Sequence, residues 1–328
     1  MGMLFSLFAV LVLVAISFVG VRANLHGLFG VAVPYAAVFL FLAGFIWKVI
    51  KWGKSPVPFH IPTTCGQQKS LPWIKHSKLD NPSSTPGVIG RMALEIVLFR
   101  SLFRNIKTEM RDGTVTYGSN KWLWLGSLAF HVSFFVVLVR HLRFFTEPVP
   151  FLVNALDAVD GFMQVGVPHL LMTGVVLLVA AGYLVLRRIL NQQVKYISLA
   201  ADYFPLFLII GIALSGILMR YFIKVDIVKV KELTMGLASF NTTVPEGIGT
   251  IFYVHLFLIS VLFAYFPFSK LMHLGGIFLS PTRNLINNSR AVRHVNPWNP
   301  EVHLHTYAEY EDEFREVMKE QGIPVEKE

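Results

Sequence analysis

Residues 122–145 read WLWLGSLAFHVSFFVVLVRHLRFF. The 18 residues from Trp122 to Val139 carry no formal charge, enough for one helical crossing of a bilayer. His131 lies inside that run, and His141 follows ten residues later. A histidine at membrane depth is costly unless it faces the inside of a helix bundle and finds a partner there. A second apolar run, 247–269, carries His255, and His273 comes 18 residues after it. Two histidines on each of two helices predict two haems clamped between the pair, with His131, His141, His255 and His273 as axial ligands to the iron. Polar packing between helices is the ordinary alternative.

The spacing says how the four would pair. Ten residues of helix put His131 and His141 about 15 Å apart along the axis, with an azimuthal offset of roughly 80°. Eighteen residues are five turns, which sets His255 and His273 on one face about 27 Å apart. Antiparallel helices then place His131 opposite His273 and His141 opposite His255. The two irons would stand about 20 Å apart, one near each membrane face. Gly126, Gly211, Ser215 and Gly216 are small enough to admit a close helix or a porphyrin. Arg140 and Arg143, flanking His141, are candidate contacts for haem propionates, or anchors at the interface.

The rest of the composition agrees with a membrane protein. Of 328 residues, 54% are hydrophobic and only 15% charged, well away from the soluble norm. Six apolar runs, at 1–21, 27–47, 122–139, 162–186, 203–219 and 247–269, reach or nearly reach crossing length. The expected fold class is all-α: a polytopic membrane bundle of six transmembrane helices. It divides into an extra N-terminal transmembrane helix (1–26), a second one (27–50), a loop with an amphipathic helix (51–120), a four-helix haem-bearing core (121–273) and a tail (274–328). The first run is read as a retained helix, since it lacks a basic leader and is longer than a signal core.

The net charge of +9 belongs to the loops and does not call for nucleic acid. Segments 48–121, 187–202 and the tail from Lys270 hold 22 of the 29 Lys and Arg residues, against seven on the other side. By the positive-inside rule, both termini and the long loop are cytoplasmic, and the chain sits in the lipid of the cytoplasmic (inner) membrane. Within the loop, VIGRMALEIVLFRSLFRNI at 88–106 sets Arg91, Arg100 and Arg104 on an apolar helix. Such a helix lies on the membrane surface or packs on a partner.

Cys65 is the only cysteine, so internal disulfides and cysteine-held iron–sulfur clusters are excluded; it is read as structural or partner-facing. The absence of a Gly-rich phosphate loop, HExxH or GxSxG removes nucleotide-binding and hydrolase readings. His303 and His305 alternate in EVHLHTY with no third ligand apparent, and His26, His60, His76 and His294 read as solvated or interface residues. His169, at the outer end of the fourth run, stands apart. With Asp157 and Asp160 it is a candidate hydrogen-bonding or proton-accepting group for a quinone, and equally a cap or propionate contact.

The pattern His131-x9-His141 with His255-x17-His273 resembles the dihaem cytochrome b gamma subunit of respiratory nitrate reductase over residues 27–275. IPTTCGQQKSLPWIK, DGTVTYGSNKW and PTRNLINNSRAVRHVNPWN, outside that core, resemble the DsrM family, the membrane cytochromes b of DsrMKJOP complexes in dissimilatory sulfur metabolism. The resemblance implies two b haems, menaquinone as substrate near the outer haem, and an iron–sulfur partner resembling DsrK on the cytoplasmic side, with further subunits of such a complex. It implies the quinol-oxidising, electron-transfer subunit of an oxidoreductase. The quinol-binding lysine of the gamma subunits has no counterpart, because residues 146–161 contain no lysine. Two rivals stay open: a dihaem cytochrome serving small soluble donors, and a haem-free anchor for an enzyme complex.

Overall fold

The structure is a computed structural model that describes residues 1–56, 66–104, 107–163, 167–293, 295 and 301–327. Helix α1 spans Gly2–Arg22, and α2 (Val33–Gly53) is entered through a π-helical turn at Leu28–Ala32. The long loop holds α3 (Thr85–Leu98), the single turn α4 (Arg100–Phe103) and a hairpin of β1 (Lys107–Arg111) and β2 (Thr114–Gly118). There follow α5 (Lys121–His141), α6 (Phe151–Asp160), α7 (Met172–Leu190), α8 (Gln192–Ile197) and α9 (Ala200–Ile217). The chain continues through α10 (Ile227–Ala238), α11 (Thr250–Tyr265), the single turn α12 (His273–Gly276) and the tail helix α13 (Tyr307–Glu320).

Six helical segments are long and apolar enough to cross a membrane: those built on α1, α2, α5, α7, α9 and α11. The protein is a multi-pass membrane protein. In the bundle α5 packs along α7, α7 along α9, α9 along α11 and α11 along α2, while α1 packs against both α9 and α11. Val10 of α1 joins Phe130, Ala181, Leu208 and Leu258 in one buried core, so the first helix is a full member of the bundle. Ser6 Oγ fastens it by donating to Ala200 O at 2.9 Å. Outward-facing Phe5, Phe39, Phe135 and Val179 are exposed, as lipid-facing side chains are. Lipid gives apolar helices no hydrophobic reason to associate, so close fit must hold them. Gly126 supplies it for α5, since a Cβ there would fall 2.4 Å from the Tyr183 ring of α7.

The structure departs from the sequence reading in four places. The fourth crossing starts at Met172 instead of 162, and residues 167–171 are not helical. Pro168 explains this, having no N–H to give and disfavouring helix in the residue before it. The expected unbroken helix from His255 to His273 is likewise interrupted. Helix α11 ends at Tyr265, Pro267 follows, and Ser269 is extended at φ −119°, ψ 178°. Ser269 Oγ then accepts from Leu271 N at 3.2 Å and starts a new turn, so His273 belongs to α12 and shares no helix face with His255.

The third departure is the hairpin, since only helices were expected. Asp112 and Gly113 take φ of 50° and 77°, and two successive left-handed residues make the turn that suits the twist of paired strands. The fourth concerns the basic helix. Arg91 is buried and donates to Thr282 O at 3.2 Å, and both Arg100 and Arg104 pair with Asp80. Arg91 is thus spent inside the protein, and Arg100 and Arg104 are tied to Asp80 of the same loop, where a membrane surface or a partner was expected to meet this basic helix. The same packing joins loop and tail: Asn287 N donates to Pro82 O at 2.7 Å, Asn287 Nδ2 to Asn81 Oδ1 at 2.8 Å, and Arg283 pairs with Glu95 at 3.4 Å. Cys65, His60 and His294 lie outside the described residues.

Candidate functional site

The bundle brings the four histidines together in two pairs. The rings of His131 and His273 lie 5.9 Å apart centre to centre, nearly perpendicular at 84°. Those of His141 and His255 lie 6.3 Å apart, 20° from parallel. One metal ion bonded at about 2 Å to an imidazole nitrogen on either side sets the two ring centres roughly 6 Å apart. Helices α5 and α11 therefore run antiparallel, and the break after α11 swings His273 back to meet His131.

Each histidine has its Nδ1 engaged. His131 Nδ1 meets Ser127 O at 2.7 Å and His141 Nδ1 meets Val137 O at 2.6 Å, each one helical turn back. His273 Nδ1 meets Lys270 O at 2.8 Å. A carbonyl can only accept, so the proton sits on Nδ1 and the lone pair on Nε2. His255 Nδ1 meets Ser215 Oγ at 2.8 Å, while that hydroxyl also lies 2.9 Å from Ile212 O. Ser215 has one proton, which goes to the carbonyl, so it too accepts from Nδ1–H. All four rings are thus held in the Nδ1–H tautomer, which leaves Nε2 as the nitrogen able to take a metal.

The surroundings suit a large planar group with acidic edges. A cavity of about 680 Å³ opens beside His273, with Lys48, Lys270 and Arg283 in its lining. Phe99 and Phe130 stand edge-on to His131, with ring centres at 4.9 and 5.1 Å. Gly216 lies against the His255 ring, where a Cβ would stand 3.4 Å from His255 Cε1, at van der Waals contact. The donor set fits bis-histidine haem, and the cavity gives room for it beside His273.

At the His141 end, α5, α6 and the start of α7 bring together the five other residues singled out from the sequence. Arg140 Nε meets Asp157 Oδ1 at 3.1 Å, and its Nη1 meets Asp160 Oδ2 at 2.5 Å. Arg143 Nη2 lies 3.2 Å from Asp157 Oδ2. Asp160 also accepts from Thr173 N at 2.7 Å and Thr173 Oγ1 at 2.6 Å. With both its oxygens committed and its side chain buried, Asp160 ties α6 to α7 and is no free base. The two arginines, candidates for propionate contacts or interface anchors, are paired here with these carboxylates. Burial pushes the Asp157 carboxyl up, but Arg143 and Arg140 outweigh it and hold the group below the usual carboxylate range. His169, in the extended entry to α7, sits with Nε2 3.9 Å from Asp157 Oδ2. Gly161 makes room for it, since a Cβ there would fall 2.1 Å from His169 Cδ2.

Sequence reasoning missed the hydrogen-bonding work of Ser215 and Thr173. The signal for Ser215 was a lone hydroxyl in the middle of an apolar run, which must find an acceptor when lipid surrounds it. Thr173 carried no such signal.

Residues 92–294, which include all four paired histidines, match the model of the nitrate reductase gamma subunit family. The chain belongs to the nitrate reductase gamma family. This gamma-family chain is 47% identical over 280 residues to the Hdr-like menaquinol oxidoreductase cytochrome b-like subunit of Archaeoglobus fulgidus, covering 83% of this chain and 84% of that one. It is 42% identical over 280 residues to the protein of the same description from Archaeoglobus profundus, covering 83% of each. Both likenesses run over a longer stretch than the gamma match itself.

Proposed function

We propose that the chain is the quinol-oxidising cytochrome b subunit of an oxidoreductase complex in the cytoplasmic membrane, with two b haems, one held by His131 and His273 and the other by His141 and His255. The observation that carries this reading is the two facing imidazole pairs with every Nδ1 spent on a protein acceptor. Menaquinol as substrate follows the description borne by the Archaeoglobus relatives. The haems, when bound, supply one-electron carriers between the two faces of the membrane.

The chain's own residues do the rest. A quinol must shed two protons as it is oxidised, and a base at the outer mouth can take them. His169 is that base, half-exposed beside the His141 end with its Nε2 3.9 Å from Asp157 Oδ2. Arg140 and Arg143 hold Asp157 ionised and in place. At the other end the interlocked loop and tail lie next to His131 through Phe99 and carry most of the basic residues, which makes that face cytoplasmic. This unit is the dock for an iron–sulfur partner resembling DsrK. The resemblance to the DsrM family supports a role for that complex in dissimilatory sulfur metabolism.

Single alanine variants test the reading. His131→Ala and His273→Ala should remove one and the same component of the reduced-minus-oxidised spectrum, and His141→Ala and His255→Ala the other. Four variants that each keep a two-haem spectrum overturn the ligand set. Loss of a common haem from His131→Ala and His255→Ala overturns the pairing. A wild-type protein whose pigment is not reduced by a menaquinol analogue overturns the quinol assignment.

A further inference from the structure

We infer that His303, His305 and Glu309 form a site for a divalent transition-metal ion of the zinc class in the tail. His303 and His305 lie two residues apart in the extended segment before α13, where alternate side chains share a face. Their rings are 5.0 Å apart centre to centre. The missing third ligand comes from the way α13 begins. Thr306 caps the helix: Glu309 N donates to Thr306 Oγ1 at 3.3 Å, and Thr306 N donates to Glu309 Oε2 at 2.8 Å. This reciprocal cap turns the Glu309 side chain back toward the residues just before the helix.

One ligand atom from each of the three residues lies within 4.8 Å of the other two, and all three side chains are exposed to an incoming ion. Two neutral imidazoles and one carboxylate are a donor set that suits zinc in preference to calcium or magnesium, which take oxygen ligands. Three protein ligands leave a fourth position for water or for a side chain of a docked subunit. A bound ion would fasten the segment before α13 to the helix, in addition to the cap. The site depends neither on the haems nor on the quinone reading.

The test uses the tag-free, haem-loaded full chain in detergent, stripped with a chelator and titrated with zinc chloride. Calorimetry and elemental analysis after gel filtration should find one zinc per chain. His303→Ala and His305→Ala should each weaken binding by about tenfold or more, since loss of even an outer-shell partner costs that much. Glu309→Gln is the deciding variant. Glutamine can still accept from Thr306 N and keep the cap, yet it withdraws the anionic ligand. Binding about tenfold weaker in Glu309→Gln, with the helix intact by circular dichroism, supports the three-residue site. Unchanged zinc affinity in Glu309→Gln overturns it, as does a wild type that binds no zinc, or a double His303→Ala/His305→Ala variant that binds it fully.

Discussion

At the scale of single residues, Ser215 is the side chain through which the His255 imidazole can be tuned. The other three histidines lean on backbone carbonyls, which no substitution removes. Hydrogen bonding at Nδ1 raises the donor strength of the opposite nitrogen and favours the more highly charged metal. Ser215→Ala should therefore keep both haems while raising the midpoint potential of the His141/His255 haem alone, read by redox titration. A second prediction concerns Arg140. Truncating it would leave Asp160 buried without its cation, at a cost of about 3–5 kcal/mol. Arg140→Ala should lower the thermal unfolding midpoint and loosen the α5–α6–α7 corner. The pH dependence has a defined sign. Asp157 is held below the ordinary range in the folded state, so its contribution is full above the unfolded carboxylate value of about 4 and is lost as pH falls through the lower folded one. Acid unfolding curves of Asp157→Asn should lack that component.

At the scale of elements, the break between α11 and α12 matters most. It is made by Pro267, which lacks an N–H, and Ser269, which caps the next turn. Helix α2 seats it: a Cβ on Gly44 would fall 2.7 Å from Pro267 Cβ and 3.1 Å from the Phe268 ring. Gly44→Val should push the break outward and carry His273 away from His131. The expected result is a protein with about half the haem per chain, the retained component being that of His141 and His255, measured by pyridine haemochrome and spectrum. Full haem content in Gly44→Val would mean that α12 is placed by something other than α2.

At the scale of the whole molecule, the loop and the tail behave as one body built from segments some two hundred positions apart. Asn81 and Asn287 are both almost wholly buried, and Arg283 reaches back to Glu95. Reporter fusions to the C-terminus should register the cytoplasm and one at Val149 the opposite side, as the 22-to-7 division of basic residues requires. Removing residues from 296 onward should release an iron–sulfur subunit on purification and leave both haems in place, because the loop–tail ties at 282–287 are kept. Unchanged co-purification would place the dock elsewhere.

The sequence alone determined the six crossings, the class of fold and the four histidines that stand out from them. Run length, charge asymmetry and spacing along a helix are one-dimensional quantities, and an apolar solvent makes them strict, since each backbone polar group in lipid must be satisfied within its own helix. It did not determine that the His255 helix stops before His273, although Pro267 was in view, because a proline kinks one helix and ends another according to what packs against it. The Asp-Gly turn of the hairpin was also in view and went unread, since a membrane frame favours helices. Only the tertiary structure decided that Ser215 meets His255 across 40 positions, that Asp160 belongs to Arg140 and Thr173, and that Asn81 meets Asn287 across 206. Each of these is a contact between separate segments, set by how the helices, the loop and the tail pack in three dimensions and carried by no local pattern.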